Sequence, residues 1–559
     1  MIKYFPEGES PRPKQRSILE SIESSFFNKK KFLIIQAPTG SGKSYIAKTI
    51  ANAARKSSDS YNELVDSGKI YSSQYISETL SEKTHGCYAL TITKTLQDEY
   101  TEKFTDTAIF KGKNSYDCMY DEQYKVDNAP CLYLSGIKKN CLSKNLCTYY
   151  NSRDETLKSN FATLNYSKFL SMEGHHKRRQ YLVLDEASEL EAELVKEFTF
   201  ELPVLFLKNK LGINFKYKIK PIEMLESLRE CFYELSEIVN DTKKNIAKKT
   251  KSGDSIQANK LKDRYYRYNK IKVGLEALIN TYTESKYIIE RYIKDKPGII
   301  RFTPLKVDLL SGHIFDYGDK VVLLSATIIG IKSFVKSLGI SDDNYDYINI
   351  ESDFNPSKSP ILIYRDTPLN NSTLDKYLPV LVDRIEGILE RFPNDKGIIH
   401  SQSNYITTQI ESIIAKKYSK RLLVRGEFNN EQLLTMHKDS KEPTVIISPS
   451  MTYGVDLKDK LARFQIIVKL PFLPLRDKRV MSIKDLDNNW YTYKMLSTLV
   501  QACGRSTRGV DDYSTTYIMD SNFLPFVDWS YAVDNNKTRV FNNYNPVLST
   551  YFKKRCINE

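Results

Sequence analysis

The chain has 559 residues, 41% of them hydrophobic and 27% charged, which is enough apolar material for several packed domains at an ordinary globular charge content. No stretch approaches the roughly twenty apolar residues of a membrane span, and the opening residues Met1 to Pro6 lack the apolar run of a signal peptide, so a cytosolic location is expected, or a nuclear one in a eukaryote. The formal net charge of +14 points towards a polyanionic partner.

In chain order, the first informative element is the apolar run Phe32-Leu33-Ile34-Ile35-Gln36, which predicts a buried strand. It leads into Ala37-Pro38-Thr39-Gly40-Ser41-Gly42-Lys43-Ser44 and then a helical stretch from Tyr45 to Ala51, the strand–loop–helix context of a P-loop. The glycines let backbone N–H groups of Thr39 to Gly42 turn towards phosphate oxygens. Lys43 would put its charge on the β and γ phosphates of ATP, and the Ser44 hydroxyl is placed for Mg²⁺.

Four of the eight cysteines follow, Cys118, Cys131, Cys141 and Cys147, separated by 12, 9 and 5 residues. A reduced protein seldom uses such a group for disulfides, so metal ligation is expected. Four thiolates suit either a [4Fe–4S] cluster or a tetrahedral Zn²⁺ ion, and the absence of a Cys-x₂-Cys knuckle counts against a common zinc ribbon. Cys87, Cys231, Cys503 and Cys556 are scattered and read as structural.

Tyr181-Leu182-Val183-Leu184 predicts a second strand, with Asp185 and Glu186 at its C-terminal end. An isolated Asp-Glu pair is more often a solvated strand end. Downstream of a P-loop it reads as the Mg²⁺ carboxylate (Asp185) and the group that polarises the attacking water (Glu186). The segment from about 198 to 297 holds no chemistry motif. From Lys243 to Lys272 it has eleven Lys or Arg against two Asp, with Tyr265, Tyr266 and Tyr268 among them. It is either a solvated helical face or a basic wall beside a nucleic-acid strand. Thr250-Lys251-Ser252-Gly253-Asp254 predicts a turn between two long helices. In the C-terminal half, Leu499-Val500-Gln501-Ala502-Cys503-Gly504-Arg505-Ser506-Thr507-Arg508 carries two arginines on one helix face, suited to stabilising charge on a transferring phosphoryl group. Strands and helices alternate from Phe32 to Leu184 and again from Val321 to Asp520, the rhythm of a parallel sheet formed twice.

This set of motifs, in this order, resembles the superfamily 2 iron–sulfur helicases of the XPD/DinG group. Phe5-Pro6 with Arg12-Pro13-Lys14-Gln15 is similar to that group's adenine-side motif. Thr93-Lys94-Thr95-Leu96-Gln97 is similar to motif Ia, Leu324-Ser325-Ala326-Thr327 to motif III, and Ile398-Ile399-His400-Ser401-Gln402-Ser403 to motif IV. Tyr453-Gly454-Val455-Asp456-Leu457 resembles motif V, and Leu470-Pro471-Phe472-Leu473-Pro474 the segment after it. Ser188 stands where the group usually has His, Tyr453 where it often has Glu, and Asp520 is followed by Ser-Asn-Phe where a basic residue is expected.

The resemblance implies two RecA-like parallel-sheet motor domains with a small iron–sulfur insertion and a helical arch insertion. It assigns 1–105, 151–197 and 298–335 to the first motor domain, 106–150 to the cluster, 198–297 to the arch and 336–559 to the second motor domain. ATP and Mg²⁺ would be held by Gln15, Thr39, Gly40, Ser41, Gly42, Lys43, Ser44, Asp185 and Asp456. Lys43, Asp185, Glu186, Gln501, Arg505 and Arg508 would be the catalytic set, and Cys118, Cys131, Cys141 and Cys147 would hold a [4Fe–4S] cluster. The implied activity is that of a monomeric ATP-dependent DNA helicase, moving 5′ to 3′ on single-stranded DNA and opening single-strand–duplex junctions, as used in DNA repair and replication. A translocase or remodelling subunit with little unwinding is the alternative.

Overall fold

The computed structural model describes residues 1–27, 30–38, 41–66, 84–134, 136–172, 178–282, 286–291, 296–350, 355–424, 428, 430–449, 457, 459–504, 512–526 and 556–558. These divide into two compact units. The first comprises Met1–Ile35, Gly42–Ser325 and Val335–Ile348, and the second Gln36–Ser41, Ala326–Phe334 and Asn349–Glu559.

The sheet of the first unit is built from β1 (Phe32–Gln36), β2 (Thr84–Thr91), β3 (Ala108–Ile109), β4 (Phe161–Asn165) and β5 (Arg179–Asp185). A basic, mostly helical insertion follows, carrying three short strands: β6 (Phe200–Leu202), β7 (Tyr287–Glu290) and β8 (Ile300–Pro304). The chain then returns to the sheet with β9 (Gly318–Ser325) and β10 (Tyr345–Asn349), giving the strand order β10-β1-β9-β5-β2-β4-β3. The pairs β3–β4, β4–β2, β2–β5 and β5–β9 are all parallel. Strands with helices on both faces are apolar along their whole length, and every residue of β1 is buried, as are Leu182, Val183 and Leu184 of β5. β10 was not anticipated in this sheet. Its residues, Tyr345-Asp346-Tyr347-Ile348-Asn349, are all half-buried, as an edge strand allows, so the first sheet continues past residue 335.

In the insertion, the helices Pro221–Lys251 and Ser255–Thr281 pack along each other around Leu228, Leu235, Val239, Leu275 and Leu278. The turn between them falls where the sequence predicts it. Gly253 takes a φ of +76°, and the Asp254 carboxylate caps the second helix by accepting from Gln257 N at 3.2 Å. β6, β8 and β7 form a small antiparallel sheet whose Phe302 joins the same core. These three strands were not foreseen, being only three to five residues long beside two helices of 31 and 27.

The second unit holds β11 (Ile361–Ile363), β12 (Gly397–His400), β13 (Leu422–Val424), β14 (Val445–Ser448), β15 (Phe464–Ile467), β16 (Thr515–Ile518) and β17 (Cys556–Asn558). Their order is β13-β14-β12-β15-β16-β11-β17, with every pair parallel. Both expected parallel sheets are therefore present. In such sheets, ligands bind beyond the carboxyl ends of the strands, and that is where the motifs lie.

A candidate nucleotide site and a four-cysteine cavity

In the first unit, β9 lies between β1 and β5, so the loop after β1 and the acidic end of β5 are one strand apart. The P-loop enters the helix Lys43–Asp66 through Gly42, whose φ is +79°. A Cβ at that position would lie 2.0 Å from Gln15 Nε2, so both the backbone conformation and the approach of Gln15 require glycine there. Gln15 is buried. Its Oε1 accepts from Arg12 N at 2.9 Å, and its Nε2 donates to Gly42 O at 3.5 Å, which fixes the expected base-contacting amide against the phosphate loop.

Lys43, in the first turn of that helix, donates to Glu186 Oε1 at 3.0 Å and lies 3.7 Å from Asp185 Oδ1. Asp185 ends β5 and is buried. Burial pushes its carboxyl above the ordinary carboxylate range, the Lys43 ammonium pulls it back, and the neighbouring Glu186 carboxylate raises it again. The strand end is anchored by Tyr166, whose hydroxyl donates to Asp185 O at 2.9 Å. Glu186 adopts φ +52°, a left-handed conformation that costs a non-glycine residue on the order of 1 kcal/mol and turns its side chain towards Lys43. Such a cation beside two carboxylates can exchange these partners for phosphate oxygens and a divalent ion. Ser44 is half-buried beside Lys43. Ser188, two residues beyond the acidic pair, accepts from the Ser325 hydroxyl of β9 at 2.9 Å, joining the ends of β5 and β9.

In the second unit, Thr327 and Gln501 come together. Gln501 Nε2 donates to Thr327 Oγ1 at 2.8 Å, and Ser497 Oγ does so at 3.2 Å. The helix Asn488–Cys503 that carries Gln501 also meets Gly330. There φ is +68° and the Tyr493 ring would lie 2.1 Å from any Cβ. Thr39, Gly40, Asp456, Arg505 and Arg508 lie outside the described residues. The motif Ia residues act locally. Thr93 caps the helix Lys94–Lys103, and the buried Gln97 amide donates to Phe110 O and Thr163 O.

Cys118, Cys131, Cys141 and Cys147 all line one cavity, together with the apolar side chains Met119, Val126, Ile137 and Leu146. Cys131 sits in the turn Pro130–Leu132, Cys141 in the helix Ile137–Ser143, and Cys147 at the start of the helix Thr148–Lys158. The Cys131 thiol is pushed up first by burial and then by Cys118, Cys147 and Cys141. Among the described residues, no three His, Cys, Asp or Glu side chains are drawn together tightly enough to hold a single metal ion.

Two contacts around this cavity were not anticipated. Lys168, largely buried, donates to Tyr149 Oη at 3.0 Å and lies 4.4 Å from the Phe110 ring centre. Burial pushes its amine down to about 8. Lys262, from the second long helix of the insertion, sits 5.0 Å over Tyr133 and 5.8 Å over Tyr124, so the insertion touches the cysteine segment.

Comparison with known proteins finds matches to both halves of the chain. Residues 387–528 match the helicase C-terminal domain family, and residues 9–215 match the type III restriction enzyme res subunit family. A probable ATP-dependent helicase of Methanocaldococcus jannaschii is 22% identical, over 97% of this chain and 95% of its own length. A regulator of telomere elongation helicase 1 homolog of Drosophila ananassae is 26% identical over 36% of this chain, a match spanning 24% of that protein. A solved XPD helicase aligns over 94% of this chain and 98% of its own, with TM-score 0.61 and 16% identity. The S. tokodaii Xpd4 structure aligns over 94% and 98%, with TM-score 0.53 and 14% identity.

Together these matches support a superfamily 2 helicase of the XPD/DinG-like type. The position that in that group usually carries His after the acidic pair is occupied here by Ser188, and its partner Ser325 lies in the segment resembling motif III. The residues after Asp520 depart from the group pattern, yet Asp520 itself is tied into the fold beyond the end of β16. It accepts from Leu369 N, Leu470 N and Asn522 N, each at 3.1 Å. No helix among the described residues is long and apolar enough to cross a membrane.

Proposed function

We propose that this helicase is a monomeric motor that hydrolyses ATP to move 5′ to 3′ along single-stranded DNA and to open single-strand–duplex junctions. The observation that carries the reading is the cluster of Lys43, Glu186 and Asp185 beyond the ends of β1 and β5, one cation and two carboxylates within 3.7 Å. DNA as the track and the polarity follow from the resemblance to the XPD/DinG group, and the eleven basic residues between Lys243 and Lys272 support a polyanionic strand.

In this proposal the backbone of Thr39 to Gly42 and the Lys43 ammonium hold the phosphates, and Gln15 holds the base. Ser44 and Asp185 would hold Mg²⁺, which supplies charge neutralisation at the phosphates. Glu186 orients and polarises the attacking water. Asp456 contacts the nucleotide, while Gln501, Arg505 and Arg508 favour the charge that develops on the transferring phosphoryl group.

We further assign the four cysteines to a [4Fe–4S] cluster. Four thiols lining one cavity supply the four ligands that either a [4Fe–4S] cluster or a tetrahedral Zn²⁺ takes, and the resemblance to the XPD/DinG group favours the cluster. The cluster's contribution would be structural, a rigid knot that holds residues 106–150 as a wedge.

Strand displacement on 5′-tailed and 3′-tailed duplexes tests the reading. Unwinding of the 5′-tailed substrate alone, with ATP, is expected. Stripping of bound protein without unwinding would make the chain a translocase, and unwinding of only 3′-tailed or RNA duplexes would overturn the polarity or the substrate.

A further inference from the structure

We propose that Phe472 and Tyr491 form a stacking platform for a base of the single strand, on a chain segment whose basic residues suit the phosphates. The inference rests on the reading of the chain as a single-strand motor and names one contact of that motor with its track.

The platform grows out of the carboxyl end of β15. The chain leaves β15 through Val468 and Lys469, and the Asp520 carboxylate accepts from Leu470 N, tying this exit to the neighbouring end of β16. Leu470 and Pro471 are buried. Phe472 N then donates to Leu470 O at 2.8 Å, a tight turn that throws the Phe472 ring outwards, where it is 38% exposed. Large aromatic rings at a surface usually bury one face, and this one stacks on Tyr491 with centroids 5.3 Å apart and planes 22° from parallel. Tyr491 is itself buried, and its hydroxyl donates to Leu473 O at 3.0 Å, locking ring and loop to each other. The result is a partly exposed aromatic ring backed by a buried one, the kind of surface on which bases stack with little regard for sequence.

Charge favours nucleic acid as the occupant. Between Lys469 and Asp485 the chain carries Lys469, Arg476, Lys478, Arg479 and Lys484 against Asp477 and Asp485. Asp477 is engaged locally, accepting from Arg479 N and Val480 N to cap the helix Lys478–Leu486. The segment that carries Phe472 therefore has a net positive charge, which suits a phosphate backbone.

The test compares the full-length wild type with Phe472→Ala, Phe472→Leu and Phe472→Trp. Equilibrium binding is measured to an oligothymidylate of about twenty nucleotides and to an abasic deoxyribose-phosphate strand of the same length. Alanine and leucine should each weaken oligothymidylate binding roughly tenfold and leave abasic binding unchanged, while tryptophan should match wild type. Leucine keeps an apolar cover over Tyr491, so a folding defect in the alanine protein leaves the question answerable. Equal losses on both strands, or none on either, would overturn the platform, the second outcome leaving Phe472 free to serve a protein partner. Wild type that binds neither strand would remove the single-strand reading itself, together with the platform.

Discussion

Gln501 donates its side-chain amide to the Thr327 hydroxyl at 2.8 Å, across 174 residues of sequence, with both side chains buried. Thr327 belongs to the segment resembling motif III and Gln501 to the arginine-bearing segment Leu499 to Arg508, so the two segments are bonded directly within the second unit. Thr327→Val keeps the shape and removes the acceptor, leaving a buried amide short of a partner at about 1–3 kcal/mol. ATP turnover stimulated by single-stranded DNA should fall roughly tenfold while the thermal midpoint drops only a few degrees. Unchanged turnover would show that the bond merely packs the helix.

Lys43 is the one charged residue of the loop from Ala37 to Ser44. The Lys43→Ala protein should bind single-stranded DNA normally and lose ATP hydrolysis, because the charge on the β and γ phosphates is gone. It also leaves Asp185 and Glu186 without their 3.0–3.7 Å cation, so no rescue is expected from that side. DNA-stimulated turnover above about a tenth of wild type would remove Lys43 from its assigned role.

His437 makes the second unit acid-sensitive. Its ring is fully buried. Nδ1 accepts from the Thr444 hydroxyl, and Nε2–H donates to Leu461 O, each at 2.8 Å, which fixes one neutral tautomer. Burial first, offset by Leu461 O and aided by Lys396, pushes its pKa down to about 4 from 6.5. The unfolded chain therefore binds a proton that the folded chain refuses. The stability is fully present above pH 6.5 and is lost as pH falls towards 4, by about 3 kcal/mol over that window. Denaturant unfolding of wild type and His437→Gln should show the gap between them shrinking as pH falls from 6.5 to 4. A constant gap would mean that His437 is already charged in the fold or is not its acid-sensitive group.

What was legible in the sequence was contiguous. Phe32 to Ser44 reads as strand, loop and helix because each residue's neighbours in sequence are its neighbours in space, and the cysteines announce themselves by type. The turn at Gly253 was legible for the same reason, a glycine where φ must be positive. The contacts that hold those pieces in place were not. Thr327 and Gln501 meet only through the tertiary fold, as do Ser188 with Ser325 and Lys262 with Tyr133. The strands β6, β7 and β8 are too short for a period-2 pattern to stand out beside long helices. β10 was hidden because an edge strand, half-buried throughout, lacks the unbroken apolar run that marked β1 and β5.

Cys141→Ser should separate the motor from the wedge. Cys141 lies in the short helix Ile137–Ser143, is almost fully buried, and faces the cavity shared with the other three cysteines. That cavity is the centre of a segment with little regular structure. Between Ile109 and Thr148 the described chain forms only two single-turn helices and one seven-residue helix. So small a unit buries too little apolar surface to stay folded without a staple. Serine is a poor ligand for iron, so the visible absorption of the cluster should vanish and the segment should lose order. The first sheet does not depend on it. β1, β5 and β9 are buried by their own helices, and the Lys43–Glu186 contact lies outside the segment. ATP hydrolysis should therefore persist in part while strand separation fails. Wild-type protein purified without oxygen should be brown and carry iron. Colourless wild-type protein with one zinc would overturn the cluster assignment, and full unwinding by metal-free Cys141→Ser would show that the segment is no wedge.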